Sequence, residues 1–268
     1  MYTAFIEVIK DLWIFVSSHR VSLSASQEIL LLAETSTAQT QSSETAQAAH
    51  TLHTLENRVC YATESAVNCL QRPQKKFDTL RGVLEYGQSV RVVHHKNKWS
   101  FVESAAVQGW IETRYLTDDQ QMVFPQWSNG EAYDADNIET KKLRSCLNDE
   151  LLGDLLKLPL QPSEYIMYRL KRLGIRIAWP LERPRLPGMW QSILNGKKGI
   201  SIGFEPKTGS VLECANDQER FLAFVESVTP DESIDISCVG RREDGVYEKN
   251  TYDRAQWRRW RPVFISLT

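Results

Sequence analysis

The chain has 268 residues, with 32 Lys and Arg against 34 Asp and Glu and a formal net charge of -2. Hydrophobic residues make up 42% and charged residues 25%, an ordinary globular balance that excludes wholesale disorder, a collagen-like fibre and a disulfide-dense miniature. The near-neutral charge excludes a protein that coats nucleic acid through its phosphates, a task that needs a large excess of Lys and Arg.

The most apolar stretch is the N-terminus, MYTAFIEVIKDLWIFV. It carries Glu7, Lys10 and Asp11 and has no basic start, the opposite of a secretory signal peptide. No run approaches the roughly 20 apolar residues of a transmembrane helix. Phe5, Ile6, Ile9, Trp13 and Val16 share one helical face, which predicts an amphipathic helix docking on a partner or on its own fold. Residues 17–56 are rich in Ser, Thr, Ala and Gln and contain neither Gly nor Pro. Ala33, Ser36, Thr40, Ala46, Ala49, Leu52 and Leu55 form a weak seam of mostly small residues. A loosely packed helix, an oligomerising helix and a flexible tether all fit it. Residues 1–57 are thus set apart as a helical or tether segment, with self-association through residues 1–56 one reading of it.

From residue 58 the hydrophobic period becomes two. SVRVVHH and WSFVES alternate, and turn signals stand at Glu85-Tyr86-Gly87 and Lys96-Asn97-Lys98, which predicts a small β-barrel over residues 58–118. Residues 119–159 form a connector. FPQWSNGEAYDADN reads as a loop, and Leu143, Leu147, Leu151, Leu155 and Leu158 then show helical spacing. Asp134, Asp136 and Asn137 open like a calcium loop but lack its sixth-position Gly and closing Glu, so they are read as a polar loop capping the next helix. Residues 160–268 give a helix, LQPSEYIMYRLKRLG, then strands in GISIGF, SVLEC, FLAFVESV, SIDISCVG and RPVFISL. Helix followed by antiparallel strands is an α+β signature.

The five cysteines form no CxxC pair and stand beside no His at ligand spacing, so buried thiols are expected and no metal. A Cys60–Cys69 disulfide is the alternative for that pair. No cofactor is expected. The basic and aromatic run Arg254, Trp257, Arg258, Arg259, Trp260 and Arg261 reads either as an Arg–Trp binding surface or as an amphipathic helix with both tryptophans buried. Arg183 and Arg185, between prolines, are candidates for phosphate or carboxylate groups.

Two resemblances follow. Val67-Asn68-Cys69-Leu70, Gly82-Val83-Leu84, Gly87, Lys98-Trp99-Ser100-Phe101-Val102, Gly109-Trp110-Ile111 and Tyr115-Leu116 resemble a bacterial SH3 domain over residues 58–118. Members of that family commonly bind cell-wall peptides or protein surfaces, and the resemblance makes Trp99, Trp110 and Tyr115 candidates to line a groove. LQPSEYIMYRL, GMWQSIL, EPKTGSVLEC and FLAFVESVTPDESIDISCVG resemble, in order, a CHAP domain over residues 160–268. That family is papain-like, and its members are cysteine amidases or endopeptidases cutting peptidoglycan. The expected architecture is α+β: an N-terminal helical segment, a small SH3-like barrel, then helices packed on an antiparallel sheet.

A papain-like reaction needs a thiolate at a helix start, a His on a facing strand and a polar residue to orient that His. Carried over by resemblance, the nucleophile position holds Pro162, the base position Phe221, the orienting position Cys238, and the Asn-like position two residues later Gly240. Independently of that match, the five histidines are His19, His50, His53, His94 and His95, so residues 160–268 contain no imidazole. The expectation is a non-catalytic protein recognising a cell-wall peptide or a protein partner, with Pro162 and Phe221 filling the former active site. The rival readings are a cysteine amidase or endopeptidase with a relocated site, and an oligomeric structural subunit. The resemblance favours the cell envelope, while the sequence begins with no signal peptide.

Overall fold

The first antiparallel sheet alternates buried and exposed residues along its strands, and the second is covered on both faces, so its strands are buried continuously. The computed structural model describes residues 55–74, 79–147, 156–175 and 185–267. The helix and tether expected over residues 1–54, and Arg183, lie outside them.

The first sheet contains β1 (Leu55–Ala62), β2 (Val67–Leu70), β3 (Leu80–Leu84), β4 (Ser89–Lys96), β5 (Trp99–Glu103), β6 (Gln108–Glu112) and β7 (Leu116–Thr117). Their order is β3-β2-β6-β5-β4-β1-β7. The hairpin between β4 and β5 turns at Asn97, whose φ of +54° is one that Asn tolerates better than most side chains. Cys60, Cys69, Leu84, Val92, Val102 and Ile111 form the interior. β1 begins at Leu55, so residues 55–57, assigned from sequence to the N-terminal segment, belong to this sheet. Leu52 and Leu55 had read as a continuation of the helical seam, because so short an extension carries no period of its own.

The connector contributes α1 (Ile138–Leu147), capped as expected. Asp134 Oδ1 accepts the Asp136 and Asn137 N–H groups, and Asn137 Oδ1 accepts that of Glu139. Phe124 joins the two halves. Its ring meets Tyr61 of β1 edge-on with centroids 5.3 Å apart, and the Arg172 guanidinium lies 3.6 Å above it. Lys171 and Glu85 pair at 3.2 Å beside this contact.

The remainder builds α2 (Pro162–Arg172), α3 (Met189–Leu194), β8 (Ile200–Gly203), β9 (Val211–Ala215), β10 (Arg220–Val228), β11 (Ile234–Val239), β12 (Tyr247–Tyr252), α4 (Arg254–Arg258) and β13 (Val263–Leu267). The sheet order is β12-β11-β10-β9-β13-β8, all antiparallel. One face packs against α2 and α3 through Val211, Leu222, Phe224, Val239 and Ile265. The other packs Leu212, Cys214, Phe221, Ala223 and Cys238 against Trp257 and Trp260. The fold is α+β, with two antiparallel sheets and few helices. All five cysteines are buried and free, so Cys60 and Cys69 are not bridged.

A buried ion pair fixes α2. Arg144 of α1 donates to both oxygens of Glu164, at 2.9 and 3.0 Å, and to the Leu156 and Leu158 carbonyls, each at 2.9 Å. Glu164 also accepts the Gln161 N–H at 3.0 Å, which caps the helix. Removing one partner strands a buried charge. Glu164→Ala is expected to cost about 3–5 kcal/mol in urea unfolding, and Arg144→Met with Glu164→Leu much less. A single-variant loss below about 1 kcal/mol would contradict this role.

Candidate functional site

α2 starts with Pro162, whose missing N–H is not needed in a first helical turn. Below it the helix turns Tyr165, Ile166, Tyr168 and Leu170 inward. Tyr165 donates its hydroxyl to Ser237 Oγ at 2.7 Å, and Ser237 donates to Glu226 Oε1 at 2.6 Å. Arg169 donates to Tyr165 Oη at 3.0 Å and to both Glu226 oxygens, one of them at 2.8 Å. Burial by itself would raise the Glu226 pKa; the Arg169 and Ser237 hydrogen bonds outweigh it and hold the carboxyl below its usual range. Every member of this network has a partner, and it ties helix to sheet.

The start of α2 meets the end of β11. A Cβ placed on Gly240 would lie 3.4 Å from Pro162 Cγ, and Gly240 has a φ of +68°, so a side chain there is both crowded and strained. Pro162 and Gly240 are therefore neighbours, as carried over by resemblance. Phe221 and Cys238 are not. They are 1% and 2% exposed and lie on the opposite face of the sheet, packed with Trp257 and Trp260. The expectation that Pro162 and Phe221 fill one site together is corrected. Successive strand residues face opposite ways, so a one-residue offset in the match reverses the face. On the helix-facing side, the residues next to these positions are Leu222, Val239 and Tyr247. They are apolar or aromatic, and none is a general base.

The thiols of the second sheet are buried and held in their protonated form. Burial, reinforced by Glu248, pushes the Cys238 thiol up to about 12, and burial raises Cys214 above its ordinary value. Cys214 Sγ sits 3.5 Å from the Glu219 and Trp260 carbonyl oxygens, with no imidazole beside it. The two described histidines are held on the first sheet. His94 stacks on Phe101, with centroids 5.1 Å apart, and His95 Nδ1 lies 2.8 Å from Ser100 Oγ. Ser100 is fully buried and shares its hydroxyl with Thr113 at 2.8 Å, so no substrate reaches it. Among the described residues no group of His, Cys, Asp and Glu could hold a metal, and no helix is long and apolar enough to cross a membrane.

The first sheet carries an aromatic row instead. His94 pairs across to Phe101, and Phe101 to Trp110, on the outer face of β4, β5 and β6. Trp110 meets His94 at 5.0 Å and Phe101 at 5.3 Å, both edge-on, and all three rings are half-buried. Of the three residues nominated by resemblance, only Trp110 belongs to this row. Trp99 is buried at the β4–β5 hairpin, and Tyr115 packs against the barrel interior under the Arg114 guanidinium. His94 and Phe101 were missed, because cross-strand pairing rather than local sequence unites the row.

The C-terminal tryptophans are interior residues. Trp257 donates to the Glu232 carbonyl, and Trp260 packs on Phe221 and Tyr252. This removes both as contact residues and favours the amphipathic-helix reading of that run. Arg241 lies over Phe221 and Trp260 at 4.3 and 4.6 Å and pairs with Glu219, so it is occupied. Arg185 is exposed.

Three raised thiols set an alkaline limit. Burial pushes Cys69 and Cys146 to about 11 and Cys238 to about 12, against 9.0 for a free thiol. The unfolded chain releases these protons first, so stability is complete below pH 9 and declines as pH rises toward 12. The urea midpoint is expected to fall steadily from pH 8.5 to 10.5. At pH 8 a thiol reagent is expected to label the folded chain far more slowly than the urea-unfolded one. Rapid labelling of one folded-state thiol would reveal an activated cysteine.

No protein-family model matches the chain, and no curated protein matches it. Two solved structures are similar to parts of it. An N-acetylmuramoyl-L-alanine amidase from Staphylococcus aureus shares 23% identity over 40% of this chain, with a TM-score of 0.34. The chain spans 31% of that protein. NlpC2 from Trichomonas vaginalis shares 8% identity over 72% of this chain and 67% of its own, with a TM-score of 0.22. At these TM-scores the backbones do not superpose as whole folds, and the site is defined by the chain's own geometry.

Proposed function

We propose that the protein is a non-catalytic binding protein that recognises a cell-wall peptide or a protein partner. In this reading residues 58–118 are a bacterial SH3-like barrel, and residues 160–268 are a CHAP-like domain without its reactive Cys and His. The observation that carries it is the start of α2. Pro162 stands there against Gly240, with Leu222 and Val239 on the helix-facing side of the adjoining strands and no His after residue 95. A cysteine hydrolase needs an ionised thiol and an imidazole within hydrogen-bond reach, and neither is present at this position.

The His94–Phe101–Trp110 row supplies the recognition surface in this proposal. Rings on a rigid three-stranded scaffold offer a stacking platform at low entropic cost, since few torsions are frozen on binding. A flat amide or an apolar side chain suits such a platform.

The test uses the full chain with purified bacterial cell walls. Co-sedimentation without release of soluble fragments or new amino groups is expected. Phe101→Ala with Trp110→Ala is expected to weaken co-sedimentation at least about fivefold, the scale of one or two lost aromatic contacts, while the melting temperature stays near that of wild type. Fragment release that disappears in a Cys214→Ala, Cys238→Ala double variant would overturn the proposal and establish a relocated cysteine site.

A further inference from the structure

A cavity of about 570 Å³ opens on the helix-facing side of the second sheet. It lies between the loop ahead of α3, the end of β9 and the starts of β10 and β13. Leu186, Met189 and Val263 give it apolar walls, and Arg220 and Arg261 give it positive charge. Glu213 also lines it, but both of its oxygens are taken. They accept the Gly188, Trp190 and Gln191 N–H groups at 2.6, 2.9 and 2.7 Å, anchoring the first turn of α3 to the sheet. Neither arginine side chain makes an ion pair or hydrogen bond with a described residue.

Arg261 is held there at a cost. Its φ is +49°, and it directly precedes Pro262. A left-handed conformation costs a residue with a Cβ of order 1 kcal/mol, and such strain persists only where the surroundings enforce it. Arg185, exposed in the loop leading into the cavity, adds to the positive approach.

We propose that this cavity binds the free carboxylate end of a short peptide. Two guanidinium groups beside the single Glu213 carboxylate leave the lining net positive and match a carboxylate, which arginine can hold by paired hydrogen bonds. The volume exceeds that of a lone inorganic ion and falls in the range of organic ligand sites. The apolar walls suit the side chain beside the carboxylate. The site stands apart from the aromatic row of the barrel and does not depend on a cell-wall source for the peptide.

Calorimetry on the full chain with N-acetyl-leucyl-alanine, the same dipeptide amidated at its C-terminus, and inorganic phosphate tests the proposal. The free acid is expected to bind at least tenfold more tightly than the amide and more tightly than phosphate. Arg220→Gln and Arg261→Gly are each expected to weaken the acid at least fivefold. Glycine accepts the left-handed conformation, so Arg261→Gly is expected to keep or raise the melting temperature, which separates a lost contact from a lost fold. No binding of the acid, equal binding of acid and amide, tighter binding of phosphate, or unchanged affinity in both variants would overturn it.

Discussion

The Arg144–Glu164 pair is the constraint on which the second half of the molecule depends. It joins α1 to the first turn of α2 and satisfies two carbonyls of the segment between them. Through Gln161 it also fixes where α2 begins. With the start set, the 3.6-residue repeat brings Tyr165 and Arg169 onto one line over Ser237 and Glu226. The same constraint puts Pro162 against Gly240. Two charges removed from water gain little net stability over hydrocarbon of the same shape, but they tolerate very few alternative arrangements. The pair's contribution is therefore to define position more than to add stability.

The polar side chains of this half are committed to structural contacts. Tyr165, Ser237, Glu226 and Arg169 satisfy one another. Glu213 holds the first turn of α3, and Arg241 is covered by aromatic rings. A catalytic base must keep a lone pair free for substrate, and a nucleophile must be able to ionise. Burial raises the Cys69, Cys146, Cys214 and Cys238 thiols and works against ionisation, and the arginines near them offset it only in part.

Much of the fold was legible because it is written in local periods. The alternation of SVRVVHH and WSFVES gave the hairpin with its turn at Asn97, and the Pro-started run at 162 gave α2. Burial of Trp257 and Trp260 was one of two readings of their run, and the structure decides between them. The candidate site was less legible. A sequence match locates a strand residue along the chain, but one step decides which sheet face it occupies, and Phe221 and Cys238 fell on the far face. The aromatic row needs the register of three strands, and the Glu213 anchor reaches residues more than twenty positions away. Such long-range pairings leave no local pattern to read.

Strands β9, β10 and β13 form one wall of a concave space beside α3, lined by Arg220 and Arg261 and by one carboxylate, Glu213. An arginine in water is well solvated and needs no partner, so exposure alone implies nothing. Arg261 differs because its backbone is held in a conformation that glycine would adopt freely. If position alone mattered, glycine would relieve the strain at no loss of packing, since Arg261 is exposed. A charged side chain on a strained, exposed backbone is better explained by what it faces than by what it supports.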